Sequence, residues 1–100
     1  MSWASWTTTG VIAGAGGVRT EEAGVLRGEL NVHTTWAVDH VDVTVQYSGA
    51  AEWFTVAGSP VGCDSEGSSR TLHQAMVTAV RAGTVSSVEE VRANCLPLGR

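Results

Sequence analysis

Asp39, His40 and Asp42 stand within four residues of one another, and His33 precedes His40 by seven. Imidazole and carboxylate are suitable ligands for a divalent metal and also a pairing for acid–base work. If residues 26–36 and 40–47 form neighbouring antiparallel strands, His33 and Asp42 become diagonal neighbours on one sheet face, within reach of long side chains. The same face carries Thr and Gln, the ordinary residues of a solvated strand surface. The sequence provides no further ligand beyond Asp39 or His40, and nothing that would enclose the cluster. A metal-dependent or acid/base enzyme built on His33, Asp39, His40 and Asp42 is therefore the second reading of this chain, with His33, His40 and Asp42 as the candidate metal ligands.

Three other motifs resemble catalytic or cofactor-binding patterns less well. Gly14-x-Gly16-x-x-Arg19 follows the apolar Val11-Ile12-Ala13, as a dinucleotide-binding turn would. It lacks the third glycine and leads into Thr20–Gly24, which carries no helical apolar stripe. A strand-end turn is the expectation. Ser68-Ser69 lies near His73, but no acid is placed to orient the imidazole. Cys63-Asp64 has no cation close in sequence to activate the thiol. Cys63 and Cys95 are the only cysteines, and the chain has no Cys-x-x-Cys. Two reduced thiols are expected, with a disulfide between them as the alternative. No cofactor is implied.

The remaining candidate is a surface. Trp53, Asn31, Gln46 and Thr55 share one parity of the expected sheet, and Trp3 and Trp6 stand near enough to the chain start to reach it. Tryptophan with amides and few charges is the composition of an interaction patch. The competing expectation is that the N-terminal segment itself folds over Trp53.

These residues take their positions from an alternating pair of segments. In residues 26–36, Leu30, Val32, Thr34 and Trp36 form an inner set against Arg27, Glu29, Asn31, His33 and Thr35. In residues 40–47, Val41, Val43, Val45 and Tyr47 oppose His40, Asp42, Thr44 and Gln46. Pairing like with like sets Trp36 against Val41, Val32 against Val45, His33 against Thr44, Thr35 against Asp42 and Asn31 against Gln46. A one-residue slip would bury His33 and Asp42, which fixes the register. Residues 37–39 lack an Asn-Gly type turn, so a loop longer than two residues is expected. A first strand is expected over residues 8–13 and another over 53–57, with Phe54 and Val56 inward. Leu72, Ala75, Met76, Ala79 and Val80 make an amphipathic helical stripe, closed by Arg81 and Gly83. Ser87-Val88-Glu89-Glu90 has capping-box spacing, which predicts a short helix over 88–94. Leu96 and Leu98 are expected to pack from a C-terminal tail.

The chain has 100 residues, enough for one domain with one modest core. Its net charge is −4, and its six basic residues are all arginine, scattered without a stripe. An acidic chain with no basic patch lacks the footprint for nucleic acid. No apolar run approaches a membrane span, and the N-terminus lacks the basic region of a secretory signal, so a cytoplasmic location is expected. The fold class expected is α+β: a three- to four-stranded antiparallel β-meander, one main C-terminal helix packed on one face, and a short second helix after it. Residues 1–100 form a single domain, with 1–8 a flexible N-terminal arm. The first functional reading is a small non-enzymatic protein that binds a protein partner or itself, as a homodimer, through the outer sheet face. A small-ligand carrier with a pocket between helix and sheet is the third.

Overall fold

The computed structural model describes residues 3–95, with the backbone alone at Cys95. A Cys63–Cys95 bond and the packing of Leu96 and Leu98 both lie outside the described residues. In chain order the elements are β1 (Trp3–Ile12), β2 (Val18–Thr20), β3 (Gly24–Leu26), β4 (Glu29–Ala37), β5 (His40–Tyr47), β6 (Phe54–Thr55), β7 (Val61–Gly62), α1 (Glu66–Ala82) and α2 (Val88–Cys95). This is the expected α+β class, with the sheet in the order β1-β4-β5-β6, β7 also pairing with β5, and both helices after the strands. Residues 20–24, which carry no helical stripe, close a separate β2–β3 hairpin.

The alternating pair does what its pattern requires. β4 and β5 are antiparallel, with Asn31 opposite Gln46, Val32 opposite Val45, His33 opposite Thr44, Thr35 opposite Asp42 and Trp36 opposite Val41. Leu30, Val32, Val41, Val43 and Val45 are fully buried with Thr34 on the inner face. They meet Met76 and Val80 of α1, also fully buried. Each such aliphatic burial stabilises by roughly 1.5–3 kcal/mol before the entropy of ordering is counted. Tyr47 has the inner parity but sits at the sheet end, where it is 39% exposed.

The loop between β4 and β5 is shorter than expected. Ala37 pairs with His40, which leaves only Val38 and Asp39 in the turn. Val38 takes φ +62, while Asp39 does not have positive φ. A positive φ at the first of two central residues alone is the type II′ pattern, whose twist matches that of the flanking strands. Strand pairing on both sides thus holds a β-branched residue in a conformation that glycine would adopt without strain.

The first strand is the larger correction. It begins at Trp3, so residues 3–8 of the expected arm are paired with β4 along with the rest of the strand. The register shifts between Thr8 and Val11, where Thr9 and Gly10 stand against Asn31, and Gly10 takes φ +68. The extra residue changes the parity of the strand. Ala4, Trp6 and Thr8 before the bulge and Val11 after it therefore share the helix-facing side.

α1 starts at Ser65, whose side chain accepts from the Ser68 amide, and ends at Gly83 in the left-handed region (φ 73°). Ser87 caps α2 by accepting from the Glu90 amide at 3.1 Å. The reciprocal half of the capping box is not made, because the Glu90 carboxylate accepts from the Ser86 hydroxyl instead.

Candidate functional site

On the sheet face away from the helices, the register lines up Thr7, His33 and Thr44 across three strands. His33 is held from both sides. Its Nδ1 lies 2.6 Å from the Thr7 hydroxyl and its Nε2 3.0 Å from that of Thr35. Trp53 stands against the imidazole, with ring centroids 5.8 Å apart and planes inclined at 59°. Beside it, the Asn31 amide donates to Gln46 Oε1 at 2.8 Å, and Asn31 Oδ1 accepts from the Gly10 amide at the bulge at 3.2 Å. Thr55 donates through its amide and hydroxyl to the Glu22 carboxylate at 2.7 and 2.8 Å. Those bonds hold the Glu22 carboxyl below its usual range, the Thr55 hydroxyl contributing most. Asn31 and Gln46 are thus bonded to each other, Thr55 to Glu22, and Trp53 stands against His33 and remains 42% exposed.

Trp3 and Trp6 are not in the patch around Trp53. Trp3 opposes Ala37, six residues along β4 from Asn31, and is 66% exposed. Trp6 lies on the opposite face, since it pairs with the buried Thr34. Its Nε1 donates to Ser69 Oγ of α1 at 3.1 Å, and the Arg70 guanidinium lies 5.9 Å from its ring centroid. The bulge is the reason, because it lets a strand that begins with Trp-Ala-Ser-Trp turn its even residues to the helix.

His33 and Asp42 are the diagonal neighbours that the register requires, but they do not act together. Both ring nitrogens of His33 are occupied by threonine hydroxyls. His40 sits between Asp39 (3.4 Å) and Asp42 (3.9 Å) on an open surface, all three at least 47% exposed. Among the described residues, no group of three His, Cys, Asp or Glu side chains converges on a point that could hold a metal ion.

The serine–histidine and glycine motifs both have structural explanations. Ser69 donates to the Glu66 carbonyl at 2.6 Å rather than to His73. His73 is buried, with Nε2 2.8 Å from the Thr8 hydroxyl and Nδ1 2.8 Å from that of Thr34. This Thr8–His73–Thr34 bridge ties α1 to β1 and β4, and sequence reasoning missed it. The available signal was Thr34, a polar residue on the core parity that needs a buried partner.

Gly14 and Gly16 cross the C-terminal end of α1 at Gly83. A Cβ on Gly16 would fall 2.0 Å from the Gly83 carbonyl oxygen, and one on Gly14 would fall 2.6 Å from the Ala82 carbonyl carbon. The glycines permit a backbone-on-backbone contact. They also face the negative end of the helix dipole, which repels the phosphate that a dinucleotide turn would cradle.

A cleft of about 750 Å³ opens beside the start of α1, lined among others by Asp39, Cys63, Ser68, Leu72 and Arg92. The Cys63 thiol is buried there and donates to the Ser65 carbonyl at 3.4 Å. Comparison of this chain with protein-family models, curated proteins and solved structures gives no significant match.

Proposed function

We propose that this chain is a non-catalytic interaction domain that engages a protein, either another chain or a second copy of itself, through the outer sheet face around Trp53. The observation that carries this reading is the positioning of Trp53. A large aromatic side chain, 42% exposed, is anchored on an imidazole whose two nitrogens are already bonded. A partly exposed tryptophan held on a polar patch loses little conformational entropy when a partner covers it. Of the groups that resemble catalytic sets, His33, Ser69, His73 and Cys63 are engaged in structural bonds, and Asp39, His40 and Asp42 lie on an open surface, which supports a binding role.

The test is native mass spectrometry and affinity capture of the purified chain beside Trp53→Ala. A complex present in the wild type and lost in Trp53→Ala, with the thermal midpoint retained, supports the reading. Complexes indifferent to Trp53→Ala would remove the outer face from consideration. The cleft beside α1 favours a small-ligand carrier as second reading, since its volume lies in the range of ligand sites. A ligand-induced thermal shift abolished by Leu72→Trp, with no effect of Trp53→Ala, would select it.

A further inference from the structure

We infer that the partner of the Trp53 face is a different chain that presents arginine or lysine, with one cation over the Trp53 ring and others against the carboxylates of Glu22, Glu29 and Asp42. This rests on the outer-face reading and adds to it the charge of the partner.

The charge of the molecule is divided between its two halves. Residues 1–62, which hold every strand, carry six carboxylates against two arginines, so the whole net charge of −4 belongs to them. Residues 63–100, which hold both helices, carry four carboxylates and four arginines. Among the described residues, strands β1, β4, β5 and β6 hold no arginine, and their two carboxylates, Glu29 and Asp42, both take the outer parity. Arg70, Arg81 and Arg92 belong to the helices. Arg27 donates to the Ala15 carbonyl at 3.0 Å, and Arg19 stands beside Ala57, beyond Thr55 on the chain.

The register sets the carboxylates around the tryptophan. Trp53 stands against His33, which shares a row with Thr44 and Thr55. Glu22 closes that row, held by the amide and hydroxyl of Thr55. Asp42 is one row away, opposite Thr35. Glu29 is two rows away on the other side, where its carboxylate accepts from the Ser48 hydroxyl at 3.1 Å. Rows on one face of a strand are ~7 Å apart, so the carboxylates span ~20 Å with Trp53 between them. That length matches about six residues of extended chain.

The ring and the carboxylates select the same ligand chemistry. A cation within ~6 Å of a tryptophan centroid is attracted by the negative face of the ring, and each carboxylate attracts it in addition. The molecule makes this contact once already, on its other face, where the Arg70 guanidinium lies 5.9 Å from the Trp6 centroid. An open sheet face offers a small amine no walls, so the cations come on a chain. A second copy would bring two acidic faces together, and like charges oppose that pairing.

The test is amide and indole NMR of the isotope-labelled full chain, titrated with a synthetic peptide of alternating arginine and serine and with its glutamate–serine counterpart. The arginine peptide should shift the Trp53 indole and the amides of Asn31, Gln46 and Thr55, and the glutamate peptide should leave them in place. Raising the salt from ~50 to ~500 mM should weaken the arginine peptide. Trp53→Ala, and separately Glu22→Gln with Glu29→Gln, should each weaken it about three- to tenfold. Glutamine keeps an acceptor for Thr55 and Ser48, so the fold is held while the charge is removed. Equal shifts with the two peptides overturn the proposal, as do no shifts, shifts centred on Asp64 or on Glu89 and Glu90, or full affinity in the glutamine pair. A native complex lost in Trp53→Ala but kept in the glutamine pair, or a homodimer lost in Trp53→Ala, overturns the basic partner and leaves the outer-face reading standing. An arginine peptide that binds Trp53→Ala as tightly as wild type overturns both.

Discussion

Replacing Thr34 by valine removes one hydroxyl from the fully buried inner face and keeps the shape of the side chain. The hydroxyl is 2.8 Å from Nδ1 of His73, which is itself only 6% exposed, so the variant leaves a buried ring nitrogen without its partner. An unsatisfied buried polar group costs ~1–3 kcal/mol, more than the ~1 kcal/mol net value of an ordinary hydrogen bond. In a domain of this size each kcal/mol moves the thermal midpoint by roughly 4–8 °C. Thr34→Val should therefore lower the midpoint by about 5–20 °C, taking the low and high ends together. Removing the whole bridge separates the desolvation cost from the bond. In the triple variant Thr8→Val, Thr34→Val, His73→Leu no polar atom of the bridge is left unpaired, so stability should return to within ~1 kcal/mol of wild type. Differential scanning calorimetry at pH 7.5 with a thermodynamic cycle gives the answer, as the bridge is neutral there. The reasoning fails if Thr34→Val melts with the wild type, or if the triple variant is less stable than Thr34→Val alone.

The same histidine sets a pH dependence. Burial, with repulsion from His33 in addition, holds the His73 imidazole below its ordinary value of 6.5. The unfolded chain binds a proton near 6.5 that the folded chain refuses, so this part of the stability is present above pH 6.5 and falls away as pH drops through the folded-state value. Urea midpoints from pH 8 to pH 4 should show that decline in wild type and a flatter profile in His73→Leu. Gly16→Ala should cost at least ~2 kcal/mol, since its Cβ would overlap the Gly83 carbonyl oxygen and the obstacle is backbone. Gly67→Ala, in the first turn of α1 with open space around it, should stabilise by up to ~1 kcal/mol, and the contrast in denaturant midpoints checks the pair. Val38→Gly relieves the positive φ of the β4–β5 turn and should raise stability by ~0.5–1 kcal/mol, read from the thermal midpoint.

The β4–β5 register was legible because two strict alternations exclude the one-residue slips that would bury His33 and Asp42, and the short connection between the strands excludes the larger ones. α1 was legible because its stripe, its last-turn arginine and its terminal glycine agree. That Thr55 lies on the same face as His33 and Thr44 followed from the same alternation, carried one strand further. Trp6 was not legible, because the parity of β1 depends on an extra residue at Thr9–Gly10 whose effect exists only when the strand is held against Asn31.

Local pattern in the sequence therefore determined which residues of this chain face each other within an element or across a tight hairpin, since periodicity and side-chain direction are properties of a few consecutive residues. Tertiary structure alone decided what met over long separations. It brought Thr8 and Thr34 onto His73, set Gly14 and Gly16 on the end of α1, and turned Trp6 toward Ser69 while Trp53 remained on the outer face. Those contacts join residues up to 69 positions apart, and they are fixed by which buried polar groups can find partners and where two backbones can approach, neither of which a single segment encodes.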